Sequence, residues 1–399
     1  MGPGRSYARS RLLVVYLLLV AIPTLLGLVV LGSTLLGLSR LTELRAVSCG
    51  DRTTWPRVSI ISPACNEERH VAGAIESMLE TDYPDLNVIA IDDRSTDRTG
   101  ALLDGLAAQH PRLRVKHVME LPEGWLGKLN ALQTGVTLAD GEWLLFMDAD
   151  AHLAPGALRR AITLAEERGL DCMSVVPEVA PAGLVGDAVF DVSLALMSLG
   201  GRLQNVSDPG SRHVAATGAF ILVRRATFER TPGFEWLRLE VADDFGLALL
   251  IKTHGGRCDI FNGRGDVQLE WYASFTEMKR AMQKNCFAVV ARFSPLRSVG
   301  LSMFSGWMAL FPIAVLLDVP PAWHALTAVG ALALTAASVT AAARTGRRII
   351  PAFLWPLGFL GMAWMTLRAG IIGFRLGGIE WRGVVYPTSL LAQRQRVKV

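Results

Sequence analysis

The sequence is short of several things that would narrow its class at once. Its 399 residues include five cysteines (Cys49, Cys65, Cys172, Cys258 and Cys286) and no Cys-x-x-Cys pair. An odd, scattered set excludes a disulfide framework or a structural zinc site and fits a reducing compartment. It has little charge excess: 40 Lys+Arg against 36 Asp+Glu leave a net +4, too small to argue for nucleic acid. Charged residues make up only 19% and hydrophobic residues 51%, too apolar for a chain that is soluble throughout. Internal repeats and low-complexity tracts are also lacking.

Long apolar runs are what it does have. Residues 12–38 carry no charge and are flanked by Arg11 and Arg40. The run is long enough to cross a bilayer with some tilt. It is too long for a signal-peptide core, and no small-residue cleavage site follows. Three more apolar segments, about 300–317, 322–343 and 349–374, are each long enough to span. The turn Asp318-Val319-Pro320-Pro321 has no positive charge, whereas Arg344, Arg347 and Arg348 crowd the next loop. The positive-inside rule therefore places that loop and residues 41–299 in the cytoplasm, with the N-terminus outside. The basic tail Arg394-Gln395-Arg396-Val397-Lys398, together with Arg368, Arg375 and Arg382, pulls against an outside C-terminus. One segment, 300–317 or 349–374, is thus expected to be re-entrant or interfacial. The expected division is a span in 1–40, a linker in 41–57, an α/β domain in 58–295, apolar helices in 296–376 and a basic tail in 377–399.

Inside the α/β region, apolar runs that read as strands (58–62, 86–91, 113–118, 143–146) alternate with helical spacing over 68–80, 100–108, 129–138 and 157–168. Residues 172–177 and 218–223 are further strands, and Asp243-Asp244 opens a helix that stops at Gly255-Gly256. The alternation predicts a parallel sheet with right-handed crossovers, and such a sheet puts its site at the carboxyl ends of its strands. The strand Trp143–Phe146 runs into Met147-Asp148-Ala149-Asp150-Ala151. Period-2 alternation sends both carboxylates to one side, where they suit a hard cation, Mg²⁺ or Mn²⁺. Taken alone, a polar strand end followed by a helix cap accounts for the pair equally well.

The strand-end motifs form a set: Pro63-Ala64-Cys65-Asn66-Glu67-Glu68, Asp92-Asp93-Arg94-Ser95-Thr96-Asp97, Gly124-Trp125-Leu126-Gly127-Lys128, Asp148-Ala149-Asp150, Gly218-Ala219-Phe220 and Asp243-Asp244. In order and spacing, over about residues 58–290, the set resembles the family 2 glycosyltransferases of GT-A (Rossmann-like nucleotide-diphospho-sugar transferase) fold. The membrane frame and the late Trp381-Arg382-Gly383-Val384-Val385-Tyr386 look like the branch that glycosylates lipids, which includes ceramide glucosyltransferase and carotenoid- or hopanoid-associated enzymes.

The resemblance implies a membrane-anchored, inverting transferase that moves one sugar from a nucleotide donor, UDP-linked by expectation, to a lipid hydroxyl. Pro63, Ala64, Asn66, Glu67, Asp92 and Asp93 would surround the nucleotide, with Glu67 and Asp93 accepting donors of base and ribose. Lys128, in a loop opening a helix, would meet phosphate. Asp150, helped by Asp148, would hold the metal that neutralises the leaving diphosphate. Asp244 would be the general base, with Asp243 and Glu240 in reserve; helix N-terminal charge matching explains the acidic pair without catalysis. The family's Gln-x-x-Arg-Trp element has no counterpart in Lys279-Arg280-Ala281-Met282-Gln283-Lys284-Asn285-Cys286-Phe287. Its lost tryptophan argues against a processive polysaccharide synthase, the nearest rival. Arg280, Gln283 and Lys284 then contact phosphate or acceptor, or form a basic helix face at the membrane. Trp381 and Arg382 are interfacial anchors or part of the acceptor site. A non-catalytic membrane protein would be expected to have lost carboxylates that this chain keeps.

Overall fold

The structure, a computed structural model, describes residues 14, 16–50, 52–316 and 320–397. The start of the apolar run at residues 12, 13 and 15, Asp318 and Val319 of the expected turn, and Lys398 of the tail lie outside the described residues. The chain gathers into two compact units. One holds Leu41–Ala180, Leu203–Tyr272 and the chain from Gly373 onward. The other holds the chain up to Arg40, Pro181–Arg202 and Ala273–Ile372.

The first unit is built on an eight-stranded sheet. Its strands are β1 (Val58–Ala64), β2 (Leu86–Asp93), β3 (Leu113–Val118), β4 (Trp143–Phe146), β5 (Ala151–Leu153), β6 (Cys172–Val179), β7 (Ile221–Arg224) and β8 (Cys258–Leu269), in the order β3-β2-β1-β4-β7-β6-β8-β5. All eight residues of β2 are buried, as a central strand covered on both faces requires. Alternate residues face alternate layers. Val58 and Ile60 join a core with Ile75 and Met78 of the helix Val71–Leu79 and Leu158 and Ile162 of the helix Ala157–Glu167. Ile61 faces the other way: a Cβ on Gly135 of the helix Gly127–Leu138 would stand 2.3 Å from its Cγ2.

The β3-β2-β1-β4 half is parallel, as the alternating pattern predicts. The other half departs from it. The strand expected at 218–223 forms as β7 and runs antiparallel between β4 and β6, and β5 is antiparallel to β8. A parallel neighbour needs a crossover helix within the sheet's own layers. Here β6 and β7 are joined through Pro181–Arg202, which belongs to the other unit. A second correction concerns β4. It ends at Phe146, and Asp148 and Ala151 close a turn through the N–H of Ala151 on the Asp148 carbonyl at 3.1 Å. A turn, not strand alternation, therefore sets the two carboxylates.

The second unit consists mainly of helices, and among the described residues five helices are long and apolar enough to cross a membrane: Leu17–Ser39, Gly183–Gly200, Pro295–Leu316, Pro321–Arg344 and Ile350–Leu376. Small residues let the first and fourth approach closely. A Cβ on Gly330 would lie 2.9 Å from the Thr24 Cα, and Thr24 Oγ1 donates to the Leu326 carbonyl at 3.0 Å. The helix Gly183–Gly200 carries Asp187 and Asp191, both buried. Arg347 meets them at 2.7 and 3.1 Å and stacks on Phe190 at 4.2 Å.

Candidate active site

The loops at the carboxyl ends of β1 and β2 are tied together. Asn66 turns the chain in the left-handed region, at φ 57°. Its side-chain oxygen accepts the Thr96 N–H at 2.8 Å and its own N–H donates to Ser95 Oγ at 3.0 Å. The Glu67 N–H donates to Thr99 Oγ1 at 2.8 Å. Asn66 is thus a tie between loops, and Glu67 is held at their junction. Asp92 and Asp93 separate, as adjacent strand residues do. Asp92 turns to His117 at 2.8 Å, and the other ring nitrogen of His117 meets Asp104 at 3.1 Å. The hydrogen bonds to Asp92 and Asp104 raise the His117 pKa. Expected among the donor-binding residues, Asp92 instead anchors β2 to β3. Asp93, also buried, is gripped by both arms of the Arg94 guanidinium at 2.8 and 2.9 Å.

The helix Gly127–Leu138 begins directly against this pair. A Cβ on Gly127 would stand 2.3 Å from Asp93 Oδ2, so the approach requires glycine. The next residue carries the centre of the site. The Lys128 ammonium lies 2.7 Å from Asp148 Oδ1 and 2.8 Å from Asp243 Oδ2. Burial lowers its pKa, but the two carboxylates outweigh that and hold it above the usual lysine range. Gly218 makes room: a Cβ there would be 2.5 Å from Asp148 Oδ2. Pro63, Lys128, Asp148, Asp243 and Asp244 line one cleft, while Ala64 is a buried strand residue behind it.

Asp243 and Asp244 occupy the first turn of the helix Asp243–Thr253, where its dipole favours negative charge. Their roles differ. Asp243 is paired with Lys128, whereas Asp244 takes the Phe245 N–H at 2.8 Å and makes no ion pair among the described residues. Burial, and next the charge of Asp243, push the Asp244 carboxyl up to about 7. Glu240, the reserve base, is fully buried. Its oxygens accept the N–H of Ala242 at 3.1 Å, of Arg396 at 2.5 Å and of Val397 at 3.0 Å. It is a clamp for the C-terminal tail, not a base.

Asp150 fits a metal. Burial raises its carboxyl to about 7, followed by the charges of Asp148 and Glu67. Among the described residues Asp150 makes no ion pair, so it stands without a matching cation of its own, whereas Asp148 beside it is paired with Lys128. No cage of three or more protein ligands forms among the described residues. A Mg²⁺-type ion does not need one, since one or two carboxylates plus substrate phosphates suffice.

The late motif folds into a hairpin of β9 (Gly378–Trp381) and β10 (Val384–Pro387). Arg382 and Gly383 form its two-residue turn, both left-handed, at φ 52° and 77°. The Arg382 guanidinium pairs with Glu67. From the sequence Arg382 is either a membrane anchor or part of the acceptor site; the pairing with a donor-side carboxylate is visible only in the fold. An Arg-Gly turn between two alternating apolar runs was the available signal. Arg280, Gln283 and Lys284 belong to the other unit, where Gln283 Oε1 accepts from Arg368 at 2.7 Å.

Comparison with known proteins is consistent with this geometry. Residues 59–230 match the glycosyl transferase family 2 domain. This stretch is a family 2 glycosyltransferase domain. The β-monoglucosyldiacylglycerol synthase of Synechocystis sp. is 32% identical over 220 residues, 51% of this chain and 42% of that protein. The GalNAc(5)-diNAcBac-PP-undecaprenol β-1,3-glucosyltransferase of Campylobacter jejuni is 31% identical over 112 residues, 28% of this chain and 35% of that protein. The chain thus spans less than half the length of these curated relatives. Among solved structures, the mannosyltransferase PcManGT from Pyrobaculum calidifontis, in complex with GDP-Man and Mn²⁺, is similar at 21% identity and a TM-score of 0.49, over 90% of this chain and 98% of that one. The mixed sheet carrying the family 2 domain is the GT-A type of α/β fold, with apolar helices flanking it in sequence.

Proposed function

We propose that the chain is a membrane-anchored glycosyltransferase, with its transferase domain in residues 58–295, that moves a single sugar from a nucleotide donor, UDP-linked in the first instance, to a lipid hydroxyl at the cytoplasmic leaflet. The observation that carries the reading is the Lys128 bridge between Asp148 and Asp243. It joins the acidic turn after β4 to the acidic helix start in one cleft, so a leaving-group side and a base side share a wall.

In this reading Glu67 and Asp93 hold the nucleoside as acceptors. Asp150 and Asp148 would hold Mg²⁺ or Mn²⁺, which supplies charge for the departing diphosphate. Asp244 removes the acceptor hydroxyl's proton as that oxygen attacks C1. A carboxyl near 7 is well matched to this at neutral pH. One base opposite the leaving group gives inversion in a single displacement. The family match and the lipid-glycosylating names among the relatives support the substrate class, and the five apolar helices support the membrane setting.

The test incubates membranes containing the chain with a panel of labelled UDP- and GDP-sugars, followed by lipid extraction and mass analysis. The expected product is a lipid heavier by one sugar. Label that remains with a long polymer would favour a polysaccharide synthase, and no transfer from any donor would refute the reading.

A further inference from the structure

The segment after the last apolar helix is built into the first unit at several points. Ile379, Tyr386, Leu391 and Val397 are buried. The Tyr386 side chain lies beside the backbone of Gly127, at the start of the helix that presents Lys128. Glu240, three residues before Asp243, clamps the tail through the N–H groups of Arg396 and Val397. The hairpin turn between these anchors is a fixed feature. It delivers one cation, Arg382, to the rim of an acidic pocket.

The charges around that pocket are unevenly matched. Arg94 is committed to Asp93 with both arms, and Lys128 is shared by Asp148 and Asp243. Asp150 has no ion pair among the described residues. A diphosphate arriving there adds negative charge to a site already rich in it. Arg382 touches Glu67 through one terminal nitrogen, its side chain is 43% exposed, and among the described residues its guanidinium has no second hydrogen-bond partner. Cys65 and Asp150 both lie within its field. A planar guanidinium is the group best shaped to take two oxygens of a phosphate at once.

We propose that Arg382 is a donor-site residue that exchanges Glu67 for the diphosphate of the bound nucleotide. The C-terminal hairpin thereby completes the donor pocket. Pairing with Glu67 parks the guanidinium in the free protein, and a diphosphate taken by both terminal nitrogens displaces that one contact. This inference rests on the nucleotide-sugar reading above.

The experiment is calorimetric titration of the purified full chain, in Mg²⁺ buffer, with UDP, GDP, uridine and guanosine. The ratio of nucleoside Kd to nucleoside-diphosphate Kd isolates the diphosphate's share of binding. Arg382→Ala should weaken the diphosphate by about 10- to 100-fold, the range of a charge-assisted hydrogen bond, and leave the nucleoside Kd unchanged. Arg382→Lys should fall between, keeping the charge without the fork. Glu67→Gln should raise the ratio by removing the competitor. Equal losses for nucleoside and diphosphate would mean the hairpin is only structural, and an unchanged ratio in Arg382→Ala or Arg382→Lys would overturn the assignment. A wild-type chain that binds neither UDP nor GDP would refute the nucleotide-sugar reading itself.

Discussion

Replacing Asp244 by Asn is the perturbation that tests the chemistry most directly. The structure separates the acidic pair: Asp243 is held by Lys128 at 2.8 Å, while Asp244 is raised to about 7. Burial does most to raise it; among the charges, Asp243 on its own helix and Asp148 from the turn after β4 add to the rise, and Lys128 from the helix Gly127–Leu138 opposes it. Asparagine keeps the oxygen that takes the Phe245 N–H, so the helix start should survive. What it loses is the capacity to take a proton, and general base catalysis supplies about 10²- to 10⁴-fold. The same pKa sets a pH dependence. With a value of about 7, the ionised fraction falls from about nine-tenths at pH 8 to about one-tenth at pH 6. Because the group acts as a base, activity is lost as pH falls. Wild-type kcat/KM, which reports the free protein, should drop at least about tenfold over that range. The assay is lipid glycosylation from pH 5.5 to 8.5, with nucleotide-sugar Kd measured in parallel. Asp244→Asn should lower kcat by about 10² or more and leave donor Kd nearly unchanged, and Asp243→Asn should cost less. A variant that keeps more than about a tenth of kcat falls short of any base contribution and refutes the assignment. So does a flat wild-type profile, and a dead Asp243→Asn beside an active Asp244→Asn reverses the pair.

Three further outcomes follow from the same geometry. Asp150→Ala should abolish transfer, and a chelator should inhibit the wild type until Mg²⁺ or Mn²⁺ is restored; full activity in excess chelator would leave Lys128 as the stabiliser of the leaving group. Gly127→Ala drives a Cβ to within 2.3 Å of Asp93 Oδ2, and overpacking of that kind costs about 1–3 kcal/mol, read as a lowered Tm; an unchanged Tm would show that the loop yields freely. For the orientation, single cysteines at the exposed Ala108 and Ala322 in a cysteine-free background should differ in intact cells, an impermeant thiol reagent labelling the second and sparing the first. The reverse pattern would overturn a cytoplasmic transferase domain.

How far the sequence could be read depended on whether the physics was local. β1, β2 and β4 stood out because a central strand buried on both faces is written as a continuous apolar run. β8 did not, because Asp259, Asn262 and Asp266 interrupt it, and the Asp266 carboxylate is neutralised by Arg160 from a distant helix. The helix Gly183–Gly200 was missed for a related reason. Asp187 and Asp191 break its apolar pattern, and their partner Arg347 lies far along the chain. That pairing also bears on topology. Arg347 is one of three positive charges that mark a cytoplasmic loop in the sequence, yet it is buried against two carboxylates, so the charge bias of that loop rests on Arg344 and Arg348.

The candidate site repeats the pattern at closer range. Each motif was legible because the residue types that hold a nucleotide, a metal or a proton are few and fall at strand ends, where an α/β sheet binds ligands. What joins them was not legible. Lys128 bridges two carboxylates drawn from different segments, Gly127 and Gly218 are glycines because of what presses on them, and Asn66 serves its neighbouring loop. The absence of an arginine-tryptophan pair in 279–287 argues against processivity and by itself points to no other arginine. The structure places Arg382, the first turn residue after Trp381, on Glu67, in a different segment and on a hairpin. An arginine that must approach a phosphate needs a fixed backbone beneath it and an exposed fork above it. A two-residue turn with both residues at positive φ provides the first, and a single parked contact to Glu67 leaves the second.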